Sequence, residues 1–549
     1  MSFRSGAAVA GVLLSILLWT AAVSAQTASP PDPGVISREG QRARQNFQQR
    51  EQIPSPDQNV VGPERPATQL VPAGGPAILL KKIIFSPSAF ISEEELEEIA
   101  ARYVDRKQDN AGLQAIVKEI NELYAQRRII TALAYLPKQD IENGVLRVTM
   151  VEGKLGAISV KGANLLPEEA VTNNVTAPVN ETLNLPKLER DVAWFNKSHN
   201  AQVQASLQPG ANFGMTDVVL SLTEPPRNSY QVFVDNQGVT SVGQQQLGMN
   251  FQHYGLLGLD DKFTLYTVRA QSNINVNFSY NLPVNPWGGR LGVSFTRGQI
   301  HVYKGPYVRL GIDGQSENLG ANFAQPIFVG SKWSLIGNAS LTQSQSVSKQ
   351  HSTLVTDNLT FKRTLGVTLA YLDQNYGVTL SPNVSTALTK YNVTDVQRDF
   401  TFFNTAYSGF ARLPFDFTAT LNGSLQWANQ KLLPGDQLFQ IGGPNSLRGF
   451  PTSGAAGYAG FFTNYELHRG LGDLVGELWG KRLSGFAFFD DGAVYSTYPK
   501  RVSMRSVGLG VSWDSGYDVV VDLSIARPLN EAMSEQSTST FYFRVTGRM

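Results

Sequence analysis

Residues 273–281 read NINVNFSYN, and their alternation decides the fold. In an extended chain Ile274, Val276, Phe278 and Tyr280 fall on one side, with four asparagines and Ser279 on the other. Such a strand separates an apolar medium from an aqueous one. "LNGSLQWAN" (421–429) repeats the pattern, with Leu421, Gly423, Leu425 and Trp427 set against Asn422, Ser424 and Gln426. "VVVDLSIA" (519–526) and "FYFRVTGRM" (541–549) follow it. From about 227 to 549 helical periodicity is lost, and alternating segments are parted by Gly, Asn, Asp and Pro. This is the pattern of a transmembrane antiparallel β-barrel with lipid outside and water inside. A closed barrel also pairs every backbone group that lipid would leave unsatisfied. At ~10 residues per strand plus turns, the length predicts some sixteen strands.

Soluble sandwiches and propellers alternate too. Against them stand the strand number, the shared face of Phe541, Phe543 and Val545, and an export signal. That signal is MSFRSGAAVAGVLLSILLWTAAVSAQ: one early charge, Arg4, an apolar run from Ala7 to Ala22, then small residues at Val23 and Ala25. The pattern predicts a signal peptide over 1–25 cleaved between Ala25 and Gln26. An uncleaved membrane anchor is the alternative. The chain contains no cysteine, which excludes thiolate metal sites, disulfide scaffolds and thiol nucleophiles. A cysteine-free exported chain fits a bacterial envelope.

Between signal and barrel the chain divides three ways. Residues 26–52 are polar; in Arg38–Gln52 only Ala43 and Phe47 are apolar. No core can hold a helix that is polar all round, so the segment is either disordered or lies in a water-filled space. Residues 53–77 hold six prolines and read as an extended linker. Residues 78–152 and 153–226 are two copies of one unit, offset by about 75 residues. Ile83 and Phe85 recur as Ile158 and Val160, and the helix start at Ser92, with Glu95 completing a capping box, recurs as Pro167-Glu168-Glu169. Leu113, Val117 and Ile120, one face of a helix, recur as Leu188, Val192 and Phe195. "LRVTMVE" (146–152) and "VVLSLTE" (218–224) close the copies, giving β-α-α-β-β units. Tyr124 and Phe195 lie on helix faces that read as core.

The sequence carries little that signals chemistry. Net charge is +1 with scattered basic residues, so nucleic acid is not an expected partner. It has neither a nucleophile elbow nor a P-loop. The five histidines are remote from one another in sequence and form no metal-ligand pattern. No cofactor, metal or enzymatic activity is expected; the chain reads as a conduit.

Two motifs remain. In GGPNSLRGF (442–450), Arg448 sits between Leu447 and Gly449 in a Gly/Pro-rich loop. In SGFAFFDDG (484–492), period two puts Phe486, Phe488, Asp490 and Gly492 on one face. If that face is lumenal, its aromatics need a packing partner, and an in-folded loop near 434–458 supplies one. Arg448 then meets Asp490, with Phe450 beside the aromatics and Gly449 and Gly492 allowing close approach. The bland alternative makes Asp491-Gly492 a hairpin turn and Arg448 a solvated cation.

The architecture resembles the two-partner secretion transporters of the haemolysin-activation/haemagglutinin-secretion type. They belong to the outer-membrane insertase superfamily, whose soluble units are called POTRA domains. Leu447-Arg448-Gly449-Phe450 is similar to the family's V/L-R-G-F/Y tip of the sixth extracellular loop. Phe488, Asp490 and Gly492 match its F-x-D-x-G strand motif. The resemblance implies a monomeric outer-membrane barrel with POTRA domains in the periplasm and residues 26–52 as a plug helix. It also implies one large β-helical exoprotein as cargo, secreted unfolded without ATP. Membrane lipid and, during biogenesis, the barrel-assembly machinery are the further partners implied. Chain end Met549 departs from the family's terminal aromatic, which leaves assembly efficiency open. The rival readings are a barrel-assembly insertase, a passive porin and a barrel enzyme.

Overall fold

The alternating segments close on themselves. In the computed structural model, which describes residues 32–50, 60–61 and 77–549 apart from 128, 130, 213, 473–481 and 534–535, sixteen antiparallel strands form a closed barrel. The expected signal peptide, its Ala25–Gln26 cleavage site and most of the linker lie outside the described residues. Consecutive barrel strands pair throughout, and among the described residues the only other strands between two of them in sequence are those of the 439–457 hairpin, after the strand Phe417–Ala428 and before Ala459–Gly470. Asn275, Asn277, Thr296 and Ser344 are buried toward the lumen, whereas Phe278, Leu319, Leu341 and Phe361 are exposed on the wall's outer face. Several strands are longer than the ~9–11 residues a bilayer needs: Ile312–Val329 and Trp333–Gln350 have 18 each, Thr353–Leu372 has 20. These strands rise beyond the membrane.

Closure joins Asn228–Asp235 to Thr540–Arg548 through five register pairs, from Gln231 opposite Arg548 to Asp235 opposite Arg544. Arg544 donates from Nη2 to Asp235 Oδ2 at 2.7 Å, and both groups are buried. Met549 continues the ladder, exchanging backbone hydrogen bonds with Tyr230 at 2.8 and 2.9 Å.

The two α+β units precede the barrel. In the first, helices Glu93–Ala101 and Asn110–Gln126 cover strands Lys82–Phe85, Ala132–Tyr135 and Val145–Glu152. Ser92 and Glu95 form the capping box at the first helix. In the second, helices Glu168–Thr172 and Leu185–Ser198 cover strands Lys154–Lys161, Gln202–Pro209 and Met215–Thr223. Tyr124 and Phe195 are core residues of their units. The glutamate ending each copy folds the loop before the first helix: Glu152 accepts Ala89 N–H at 2.8 Å, and Glu224 accepts Leu166 N–H at 2.7 Å. The linker is not featureless. Val60–Val61 pairs in parallel with Ala205 and Ser206, covering the edge of the second unit's sheet.

Residues Pro33–Arg50 form a helix inside the barrel. Asp32 caps it by accepting Gly34 N–H at 2.7 Å. The helix has an apolar anchor that its polar middle conceals. Ile36 is buried with Val242, Ile300, Val302 and Ile312 of the barrel wall and outer loops.

Candidate functional site in the barrel lumen

The lumen holds two inserted pieces, a loop and a helix. The loop leaves the strand Phe417–Ala428, turns through Gly435–Gln437, and forms a hairpin of Phe439–Ile441 against Ala455–Gly457. Gly442 and Gly443 take φ of +106° and +89°, which only glycine adopts freely, and so bend the chain toward the wall. Phe439, Ile441, Leu447 and Phe450 pack with Phe462, Val494, Val502, Met504 and Met533 into one apolar cluster. This burial brings the loop tip down beside the strand Leu483–Tyr495.

At the tip Arg448 is enclosed. Its Nε donates to Asp490 Oδ2 at 2.8 Å and its Nη2 to Oδ1 at 2.7 Å, a two-pronged carboxylate contact. The backbone N–H of Arg448 adds a third bond to Oδ2 at 3.0 Å. Nη1 reaches Glu466 Oε1 at 2.6 Å, and Glu466 Oε2 in turn contacts His468 Nε2 at 2.8 Å. Beneath the guanidinium lies Phe488, 3.5 Å from Cζ to ring centroid. Arg448 is 6% exposed and Asp490 0%, so water screens the pair very little. Asn464 Nδ2 donates to Asp490 Oδ1 at 2.8 Å and also to Ser446 O, tying strand, wall and loop together.

Glycines set the approach. Gly449, at φ +88°, donates its N–H to Tyr542 Oη at 2.9 Å. A Cβ at Gly492 would stand 2.9 Å from Leu447 Cδ1 and 2.7 Å from Phe461 O, so a side chain there would push the loop away. Asp491 and Gly492 lie inside a strand and make no turn; Asp491 is on the outer face, bound to Arg505 at 2.8 Å. Phe450 differs from its expected place. It sits in the loop's apolar cluster, while Phe486 and Phe488 pack with Ala526 and Tyr542. The left-handed turn at Gly449 separates the two, and the Arg448 guanidinium, not Phe450, covers Phe488.

Sequence reasoning missed Asn464, Glu466 and Tyr542. Each occupies a lumenal position of its strand; Asn464 pairs in register with Asp490 and Glu466 with Phe488. Period-two parity alone could have nominated them once that register was known.

The helix meets the loop, not only the wall. Arg38 Nη1 donates to Leu438 O at 2.7 Å and its Nη2 to Gln426 Oε1 at 2.9 Å. One turn on, Arg42 Nη1 donates to Gln440 O at 2.9 Å, its guanidinium 5.2 Å from the Phe462 ring centroid. Asn445 Nδ2 of the loop donates to Glu39 Oε1 at 3.1 Å. Arg44 contacts Asn277 of the wall. Arg38 and Arg42, four residues apart, share the face that grips the loop backbone. Among the described residues no group of His, Asp or Glu is placed to hold a metal ion.

A lipid-facing barrel preceded by α+β units, with a loop and a helix in its lumen, defines a class, the outer-membrane barrels that carry periplasmic domains. The family model described as haemolysin secretion/activation protein ShlB/FhaC/HecB matches residues 214–513, and the chain belongs to that family. The ShlB-type POTRA domain model matches residues 78–153. The heme/hemopexin transporter protein HuxB of Haemophilus influenzae strain 86-028NP is 24% identical over 476 residues, covering 82% of this chain and 83% of that protein. The structure of CdiB from Escherichia coli superposes with a TM-score of 0.69 at 21% identity, covering 96% of this chain and 100% of that one. BamA from Haemophilus ducreyi lacking POTRA domains 1–3 shares the fold at a TM-score of 0.52 and 16% identity, covering 86% of this chain and 100% of that one. The protein is a two-partner secretion transporter of the outer membrane, with its POTRA region in the periplasm.

Proposed function

We propose that this chain secretes one large β-helical exoprotein, passing it unfolded and without ATP through the barrel. Residues 1–25 act as the signal, 26–52 as the plug, 53–77 as the linker, 78–152 and 153–226 as two POTRA domains, and 227–549 as the pore. Leu447, Arg448, Gly449 and Phe450 latch the in-folded loop to the wall motif of Phe488, Asp490 and Gly492. The observation that carries this reading is the enclosure of Arg448 between Asp490, Glu466 and Phe488 at the loop tip. A group so buried is costly to strip of its partner, which suits a latch better than a surface contact.

The helix is the piece that leaves. Its grip on the loop is made by guanidinium groups on backbone carbonyls and one amide-to-carboxylate bond, from Asn445 to Glu39, all of which water replaces when the helix slides out. The exoprotein is captured by strand addition at the POTRA domains or by a groove beside a sheet edge. Linker residues Val60 and Val61 cover one such edge on the second unit. A strand added there displaces the linker, and the linker is joined to the plug.

Export assays with Arg448→Ala test the latch. Unchanged export together with unchanged protease protection of the loop would sink it. Deleting residues 26–52 raises conductance in planar bilayers if the helix plugs the pore; an unaltered conductance counts against that role. Cargo that cross-links to barrel positions alone would refute capture by the POTRA domains.

A further inference from the structure

Where the second α+β unit meets the barrel, one buried carboxylate gathers hydrogen bonds from both. Asp260 lies in the turn between strands Gln246–Tyr254 and Lys262–Arg269, on the POTRA side of the barrel, and is 2% exposed. Its backbone is left-handed, φ +61°, a conformation that its contacts hold in place. Across the junction the carboxylate accepts Asn200 N–H at 2.8 Å and Ala201 N–H at 3.1 Å, where the last helix of the unit runs into its next strand. On the barrel side it accepts Arg290 Nη1 at 2.6 Å and the Tyr254 hydroxyl at 2.9 Å. Its carbonyl accepts Asn200 Nδ2 at 2.7 Å and Arg290 Nη2 at 2.8 Å.

Arg290 completes the joint. Besides Asp260 it donates to Ser198 O at 3.1 Å, the negative end of the helix Leu185–Ser198. The neighbouring turn comes so near that a Cβ on Gly288 would stand 2.4 Å from Ser198 Cβ. A second loop of the unit meets the same barrel edge, since Leu165 Cβ lies 3.7 Å from where a Cβ on Gly255 would be. Neighbouring Asp261 serves the turn itself, accepting Leu257 and Leu259 N–H at 3.1 Å each. The two adjacent aspartates therefore divide the work: one shapes the turn, the other reaches into the next domain.

We propose that Asp260, with Arg290, is the positioning residue that holds the second α+β unit as a fixed mouth of the barrel, and that transport proceeds with this joint closed. Six donor groups, from both sides of a domain boundary, converge on one buried residue that accepts from all of them, which suits a weld, not a hinge. The movable parts are then the helix, the linker and the cargo. This inference rests on the protein-transport reading, and its test separates the two.

The chain has no native cysteine, so Leu165→Cys with Gly255→Cys introduces one pair, at a spacing suited to a disulfide. The reduced pair controls for any strain a side chain meets at Gly255, where φ is +72°. Cargo is the exoprotein lost from the medium on deletion of the gene. The oxidised pair secretes it at the rate of the reduced pair, and a block on oxidation overturns the proposal. Asp260→Ala, inserted and heat-modifiable like the native barrel, secretes at least tenfold less, and oxidising the cysteine pair in that background restores export. Full export by Asp260→Ala, or loss that the disulfide does not restore, overturns it. A cargo-independent arm uses nitroxides at Val179→Cys and Tyr517→Cys: one narrow distance in the native joint, a broad distribution after Asp260→Ala. A narrow distribution in both overturns the weld even if no cargo is ever found.

Discussion

The loop and the helix share one lumen but are held in different ways. The loop tip is fixed by side chain to side chain, with Arg448 between Asp490 and Glu466 over Phe488, all within a nearly dry pocket. The helix is fixed chiefly by arginines on carbonyl and amide oxygens, Arg38 on Leu438 and Gln426 and Arg42 on Gln440. Removing one partner from the first arrangement strands a buried charge; withdrawing the helix strands none, because the guanidinium groups leave with it into water. In the proposed cycle the loop therefore stays with the wall and the helix is the part that moves.

The largest effect expected from breaking this contrast is at the latch. Arg448→Ala leaves Asp490 and Glu466 facing each other without a cation and costs about 3–5 kcal/mol of loop docking. The loop tip then becomes accessible to external protease and export falls. Asp490→Ala acts similarly, and the double variant costs less than the sum of the two, as contacting residues do. Strict additivity in a thermal-shift series would mean that the two side chains do not act as a pair.

A smaller effect is expected at the helix. Arg38→Ala with Arg42→Ala removes guanidinium bonds to carbonyl and amide oxygens that water can replace, so each nets only about 0.5–1 kcal/mol and together they cost less than the latch. Spontaneous pore openings become more frequent in planar bilayers while the loop stays protected from protease. Loss of protection there would show that helix and loop form one unit and erase the contrast. Next, Phe488→Leu removes the ring under the guanidinium, about 1–2 kcal/mol, and exposes the loop partially. Smallest is Tyr542→Phe, which leaves Gly449 N–H without its acceptor and costs about 1 kcal/mol, visible as a modest drop in thermal stability.

How much of this was legible in the sequence follows from what each feature depends on. The barrel was legible because alternation such as that of 273–281 is local, and its lumenal asparagines declare an aqueous interior. The repeated units were legible because two copies confirm one pattern. The Arg448 and Asp490 motifs could be named, yet Asn464, Glu466 and Tyr542 could not, since their roles depend on the register of strands far apart in sequence. Phe450 was misplaced because a single left-handed glycine turns it from the aromatics it was expected to join. The anchor of the helix, Ile36, is not legible because it stands just ahead of the polar stretch Arg38–Gln52 and its apolar partners lie on the distant barrel wall. Asp260 gave no signal at all: in "GLLGLDDK" (255–262) it reads as an ordinary turn residue, and only the docked domain reveals its work.

The most direct test of the central claim is a gene deletion read by comparing secreted and surface proteins with outer-membrane porin content. A two-partner secretion transporter with one cargo predicts the loss of one large exoprotein while porins stay at their normal level. Falling porin levels would contradict it and make the protein an assembly factor for other barrels.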